Sequence, residues 1–407
     1  MAGPEGEPCS LYIHIPFCAG ACDYCDFYSI PVEAGDPRLD SYVGALLADA
    51  EYTLASFGID RVPTLYIGGG TPSLLGAGRI DRLLAGLGSL LPNPPVEITV
   101  EANPESADRS FLETCRKRGV TRLSLGVQTF HEPSRRQVHR VGEGALLPER
   151  LRLVQEYFGA AFSADLITGL PGQDRGVLLE DLKKLLAFTP GHVSLYALTP
   201  EAGTPLTAEP RFKALLPPAD EADRLWLIGR DTLEQAGYNQ YEVSNFALPG
   251  KESIHNIRYW RMENWLGLGP AASGTIIDDR TGRGTRYTIA ADVEAYLNAP
   301  VEGRVSVGDG VLSPMREKNL VFVESLDRTV LMKETCLMGF RSIEGPDPRL
   351  FIRRFGRDIA ECIPGTLARW RNRGLIRPDR IALRREGLLF LDSFLAGCFE
   401  ELEHTER

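Results

Sequence analysis

The chain lacks the features that would place it in a membrane or an oxidising compartment. No run of about 18 apolar residues occurs in its 407 residues, so no hydrophobic transmembrane helix is expected. The opening MAGPEGEPCS has neither a basic n-region nor an apolar h-region, so no signal peptide is expected; Cys9 lacks the apolar stretch that a lipoprotein signal needs. Positive charge is short as well. Lys and Arg number 45 against 55 Asp and Glu, a formal net charge of -10. A polyanion partner needs a basic face, so this balance argues against nucleic acid and for small molecules or other proteins. Of the eight cysteines, Cys9, Cys115, Cys336, Cys362 and Cys398 are scattered without paired spacing. That is a poor disulfide framework and suits a reducing cytoplasm. Cys115, beside Phe111 and Leu112, reads as a small core residue. There is no internal repeat and no long low-complexity stretch.

What is present is a rhythm. Six short β-rich runs occur at 11–15, 64–70, 97–103, 122–129, 162–171 and 192–199, each apolar or β-branched before turning polar or Gly-rich. Helical patterns lie between them at 39–57, 79–91, 106–119, 145–158 and 174–188. In the first, Leu39, Val43, Leu46, Leu47, Ala50, Leu54 and Phe57 form one apolar stripe. The segment 106–119 opens on Ser106, an expected N-cap, and closes on Gly119. Strand and helix in alternation predict a parallel sheet with helical crossovers, either an incomplete barrel or a doubly wound sheet. In both, ligands gather beyond the C-terminal strand ends. Those ends here carry Cys18 to Cys25, Gly68 to Thr71, Glu101 with Asn103, Gln128, and Asp165.

After residue 200 the pattern changes. A Pro-rich stretch (205–220) precedes an amphipathic helix at 220–236, then HNIRYWRMENW (255–265) and GLGPAASG (267–274). Helices are expected at 330–340, 347–355, 358–373 and 388–402, with a strand-turn-strand hairpin at 375–387. Three helices and a hairpin resemble a winged helix. The recognition segment of such a unit, 358–373, mixes Asp358 and Glu361 with Arg369, Arg371 and Arg373, which disfavours a DNA-binding regulator.

The densest chemistry is HIPFCAGACDYCDF at 14–27, where Cys18, Cys22 and Cys25 follow C-x3-C-x2-C. Structural zinc closes a shell of four ligands, and His14 or Asp23 would have to be the fourth. The other reading is a [4Fe–4S] cluster on three thiolates, with one iron left open to a substrate or cofactor.

The C-x3-C-x2-C run after a first strand resembles the signature of radical S-adenosylmethionine (SAM) enzymes, and GGGTP at 68–72 resembles their glycine motif. The set YIHIPFC-x3-C-x-YC, GGGTPSLL, EANPES, GVQTF, HR at 139–140, DLITGLPGQ and YEVSNFA resembles the coproporphyrinogen dehydrogenase (HemN) superfamily over residues 11–275. The resemblance implies an α/β fold: a partial (β/α)6 radical SAM barrel at 1–204, a mixed α/β extension with HNIRYW at 205–328, and a winged-helix-like C-terminal domain at 329–407. It implies a [4Fe–4S] cluster on Cys18, Cys22 and Cys25. It implies SAM held by Tyr12, Tyr24, Gly69, Gly70, Thr71, Glu101, Gln128, Arg140, Asp165 and Ala197.

Within that superfamily the dehydrogenases carry a further cysteine two residues past the third, where this chain has Phe27, and a longer N-terminal arm. CDF and the HN-x-x-YW pattern resemble the HemW branch, the haem chaperones. This resemblance implies haem as a third cofactor, with His255, Asn256, Tyr259 and Trp260 as candidate contacts. His255 offers an imidazole to iron, and Tyr259 and Trp260 offer flat apolar surface. Arg258 and Arg261 have the geometry to pair with propionates. Implied partners are a haem donor, a haem-accepting client and a small flavodoxin- or ferredoxin-like reductant, with no nucleic acid and with a homodimer left open. The location implied is the cytoplasm, peripheral to the membrane when clients are met there. An oxygen-independent coproporphyrinogen dehydrogenase is the alternative, disfavoured by Phe27.

Overall fold

The computed structural model describes residues 7–301, 307–308, 311–312 and 320–405. The six expected β-rich runs are strands: β1 Ser10–Ile15, β2 Thr64–Gly69, β3 Glu97–Ala102, β4 Arg122–Gln128, β5 Phe162–Thr168 and β6 His192–Ala197. Each pairs in parallel with the next in chain order. Parallel neighbours need long crossovers, and the helices Arg38–Phe57, Gly76–Leu90, Arg109–Lys117, Leu147–Phe158 and Arg175–Leu186 supply them. On the first of these, Leu39, Val43, Leu46, Ala50, Leu54 and Phe57 are buried as the stripe predicts. Each of these Leu, Val and Phe side chains contributes roughly 1.5–3 kcal/mol when fully buried.

The sheet extends past the six. With β7 Asn239–Gln240, β8 Asn245–Ala247, β9 Trp265–Leu268, β10 Ser273–Asp278, β11 Arg283–Ile289 and β12 Val321–Leu326, its order is β12-β11-β10-β9-β1-β2-β3-β4-β5-β6-β8-β7. β9 joins β1 in parallel, and the outer strands on both sides are antiparallel. One core runs from Cys9 to Val321, and so serves the region 205–321 as well as the six-strand unit. A second core is built chiefly by residues from Leu326 to Leu402.

Three local expectations differ from the structure. Asp108, not Ser106, caps the helix Arg109–Lys117, accepting from Phe111 N at 2.8 Å. Ser106 instead pairs its hydroxyl with Ser73 at 2.6 Å. The helix expected at 358–373 is two, Ile359–Cys362 and Pro364–Asn372. Pro364 has no N–H to donate and pushes Ile363 out of helical geometry, to φ -131° and ψ 45°. The hairpin at 375–387 reduces to one bridge, Ile376 to Leu383, followed by a helical turn Arg385–Leu388. Its tip is held by Arg377 and Arg380 on Asp379 instead of by an extended ladder.

Candidate functional site

The cysteine loop leaves β1 and is bracketed by a short parallel pairing of Phe17–Cys18 with Ile30–Pro31. Its thiols are in no disulfide. Cys18 Sγ lies 3.1 Å from Thr71 Oγ1, and Asn103 donates Nδ2 to that same hydroxyl at 3.1 Å. Asn103 Oδ1 accepts from Arg140 at 2.7 Å, and Arg140 reaches Cys22 Sγ at 3.9 Å. A chain of polar contacts thus joins the first thiol to the second through the ends of β2 and β3.

These residues wall a cavity of about 490 Å³. Cys18, Cys22, Cys25 and Tyr24 line it from the loop, and Gly69, Gly70 and Thr71 from the end of β2. Glu101, Gln128, Asp165 and Ala197 enter from β3, β4, β5 and β6, with Arg140 from the turn beyond β4. Tyr12 is outside the lining. Its hydroxyl meets His14 Nδ1 at 3.0 Å, and His14 Nε2 meets Tyr28 O at 2.9 Å, at the far end of the cysteine loop.

The glycines work by letting chain segments pass. A Cβ on Gly70 would stand 2.6 Å from Phe17 O, and Gly69, at φ +111°, would press a Cβ to 2.8 Å from the His14 ring. The N–H groups of Gly69, Gly70 and Thr71 are engaged by Glu101, Ile15 and Phe17 respectively. The motif therefore ties β2 to β1 and β3. Gln128 sits at φ +67°, where the register between β4 and β5 shifts. This bulge re-aims its side chain into the cavity. Gly126 leaves room: a Cβ there would lie 2.9 Å from Gln128 Nε2 and 3.1 Å from Asn103 Oδ1.

Two acids face the cavity with no ion pair to a cation among the described residues. Removal from water pushes the Glu101 carboxyl up to about 7, against hydrogen bonds from Tyr66 OH (2.6 Å) and Gly69 N. The same loss of water pushes Asp165 up to about 6, eased by Ser194, Arg140 and Ser124. A cationic ligand would restore both charges.

The donor set tests the metal readings. Among the described residues no three His, Cys, Asp or Glu side chains converge tightly enough to hold one metal ion. Both fourth-ligand candidates for zinc are committed elsewhere: His14 as above, and Asp23 to His139 at 2.8 Å and Arg211 at 3.2 Å. Three cysteines whose two fourth-ligand candidates are both engaged elsewhere match the donor set of a cluster with one open iron better than the closed four-ligand shell of structural zinc.

The candidate haem contacts share the helix Ile254–Trp260 but do not line one cavity. Asn256 lines the cysteine-side cavity, whereas Trp260 lines a second one of about 600 Å³ with Tyr238, Tyr241 and Arg261. His255 lies between them, 1% exposed. Thr64 gives its hydroxyl proton to Ser10, which assigns an Nδ1–H on His255 donating to Thr64 Oγ1 at 2.8 Å. The ring stacks on Tyr66 at 4.9 Å, with Tyr259 edge-on at the same distance. Burial, then Arg258, pushes the imidazole down to about 3, so it is neutral. The other ring nitrogen, Nε2, is buried in this stack with no hydrogen-bond partner among the described residues. Arg258 is occupied too, by Ser10 at 2.6 Å and by Glu263.

Sequence reasoning missed Tyr66 and Arg135. Tyr66 was hidden in an apolar strand. Arg135, in the helix Glu132–Gln137, reads as a surface arginine, yet it is 1% exposed. It donates to the carbonyls of Val127, Thr129, Val141 and Gly142 and to Glu105 at 3.1 Å. It thereby fixes the two turns that carry Gln128 and Arg140.

Residues 12–185 match the radical SAM superfamily. The heme chaperone HemW of Lactococcus lactis is 35% identical over 333 residues, 79% of this chain and 85% of that protein. The heme chaperone HemW of Bacillus subtilis is 31% identical over 398 residues, 97% of this chain and 100% of that protein. Among solved structures, coproporphyrinogen III oxidase (HemN) of Escherichia coli, a radical SAM enzyme, aligns with a TM-score of 0.78 at 23% identity. It covers 98% of this chain and 91% of that one, a likeness of fold alone.

Proposed function

Because this chain belongs to the HemW family within the radical SAM superfamily, we propose that it is a haem chaperone that binds a [4Fe–4S] cluster, SAM and haem and passes haem to client proteins. The observation that carries this over the dehydrogenase reading is Phe27. It stands 63% exposed at the cavity's cysteine loop, where the dehydrogenases have a thiol, in a chain that matches HemW proteins over most of its length.

Cys18, Cys22 and Cys25 would hold the cluster. Bound there, the cluster supplies a low-potential electron and SAM a sulfonium able to accept it. The chain's own part is electrostatic and steric. Glu101 and Asp165 offer negative charge to the cationic ligand, Gln128 and Tyr24 border it, and Arg140 stands between Cys22 and Asn103. We read the six parallel strands as a partial (β/α)6 barrel at 1–204, with an extension at 205–328 and a winged-helix-like unit at 329–407. The second core supports the last boundary. Among the described residues no helix is long and apolar enough to cross a membrane. We place the protein in the cytoplasm, meeting a haem donor, a haem-accepting client and a flavodoxin- or ferredoxin-like reductant, with no nucleic-acid partner and with a homodimer compatible.

Soret titration of the reconstituted protein with haem tests the function. One equivalent bound per chain is expected, with Trp260→Ala weakening binding more than His255→Ala, since the structure buries His255 away from both cavities. No stoichiometric binding, or protoporphyrinogen formed anaerobically from coproporphyrinogen III with SAM and reductant, overturns the proposal.

SAM binding is expected to depend on pH with a definite sign. Glu101 must shed its proton to face a cation, and its folded value is about 7. Affinity should rise with pH to about 7 and level off above, falling up to about tenfold per unit below. Calorimetric titration between about pH 6 and pH 8 reads this, and Glu101→Gln should flatten the profile. A profile unchanged by that substitution removes Glu101 from the SAM contacts.

A further inference from the structure

Two successive residues on one turn grip two successive residues on the cysteine loop. Arg140 reaches Cys22 Sγ, and His139 Nδ1 meets the Asp23 carboxylate at 2.8 Å. Between them the backbone adds a third contact, Asp23 N to Val138 O at 3.1 Å. Asp23 is 5% exposed, so its polar atoms meet these partners in place of most of their water. His139 holds φ +48°, a left-handed conformation that a non-glycine side chain adopts only when its surroundings impose it. The conformation has a consequence for the next residue. It turns the chain so that Arg140 points back at Gly126 O (2.6 Å), Asn103 and Cys22 while His139 faces Asp23. A third segment is fastened to the same acid. Arg211 Nη2 lies 3.2 Å from Asp23 Oδ2, and Leu206 N donates to Asp23 O at 2.9 Å.

We infer that His139 and Asp23 form a clasp that positions Arg140 over the second thiol and so sets the reduction potential of a cluster bound there. The inference rests on the cluster reading given above and adds to it residues that do not touch cluster or SAM. A fixed guanidinium beside a ligating thiolate favours the reduced, more negative cluster and raises its potential. With the clasp opened, Arg140 loses its fixed approach and the potential falls.

The test is a redox titration of the reconstituted full chain followed by electron paramagnetic resonance, with thermal melts of the cluster-free proteins as a fold control. His139→Ala is expected to move the midpoint to lower potential, in the direction of Arg140→Met and by less. His139→Asn should stay near the parent, because Asn tolerates the left-handed region and can donate its amide to Asp23. His139→Gly keeps the backbone conformation without the hydrogen bond, so it should follow alanine. A parent-like midpoint for both His139→Ala and His139→Gly in loaded protein overturns the clasp and leaves the cluster reading standing. A midpoint restored in His139→Gly alone assigns the effect to backbone conformation and likewise overturns the clasp. Failure of the parent chain to take up a cluster removes both.

Discussion

Cys22→Ala is expected to give a folded chain that assembles no stoichiometric [4Fe–4S] cluster. Three thiolates already leave one iron without a protein ligand, and removing another leaves two irons open to solvent and thiol competitors. The structural loss is small by comparison. Cys22 is buried but on a surface loop; its thiol has a long contact from Arg140 and a side-chain hydrogen bond with Tyr24, and its carbonyl accepts from Cys25 N at 3.1 Å, which alanine keeps. The contrast with Cys115→Ala makes the experiment decisive. Cys115 is fully buried in the main core, with its thiol pushed up to about 12 by desolvation, so its loss leaves a small cavity. Cys115→Ala should lower stability by about 1 kcal/mol and leave cluster uptake unchanged. Iron and sulfide analysis with Mössbauer spectra after anaerobic reconstitution reads both variants. One tightly held zinc per parent chain, lost in Cys22→Ala, would replace the cluster by the four-ligand alternative and take the SAM site with it.

Arg135→Met should destabilise the chain by about 3–5 kcal/mol in urea unfolding. Methionine matches the stem in length, so packing changes little and the loss is polar. Four backbone carbonyls lose donors, each worth about 1 kcal/mol, and Glu105 loses its cation. Burial, together with Arg140 nearby, already pushes the Arg135 guanidinium down from its usual value. The site therefore holds the charge by dense hydrogen bonding and not by solvent. The neighbour provides the control. Arg136, with its side chain 78% exposed and paired to Glu132 one turn away, should tolerate methionine within about 0.5 kcal/mol. Equal effects at the two positions would show that the Arg135 network adds nothing to stability. Because the network anchors the turns of Gln128 and Arg140, SAM affinity of the folded Arg135→Met fraction should fall as well.

Local patterns carried far in this molecule. The six parallel strands, their crossover helices and the cysteine loop are written in short stretches of sequence, because alternation, apolar stripes and glycine placement act over a few residues. Asp108 displaced Ser106 as a cap, and Pro364 split a helix, because those choices turn on which of several adequate local groups the packed chain engages. The cavity lining was legible for the same reason: residues at the C-terminal ends of parallel strands must converge once the strands align.

The sequence by itself determined that three thiols, a glycine turn and two acids would meet at one end of a parallel sheet. Only the tertiary structure decided that Arg135 is interior, that Gln128 turns inward on a left-handed bulge, and that HNIRYW divides between two cavities with His255 sealed between them. Those outcomes depend on partners outside the local stretch: Thr64, 191 residues from His255, Leu166 of β5 opposite Gln128, and Glu105 with the carbonyls of two separate turns around Arg135. A side chain's neighbours across the fold, and the water they exclude, set its burial and charge, and no local pattern encodes them.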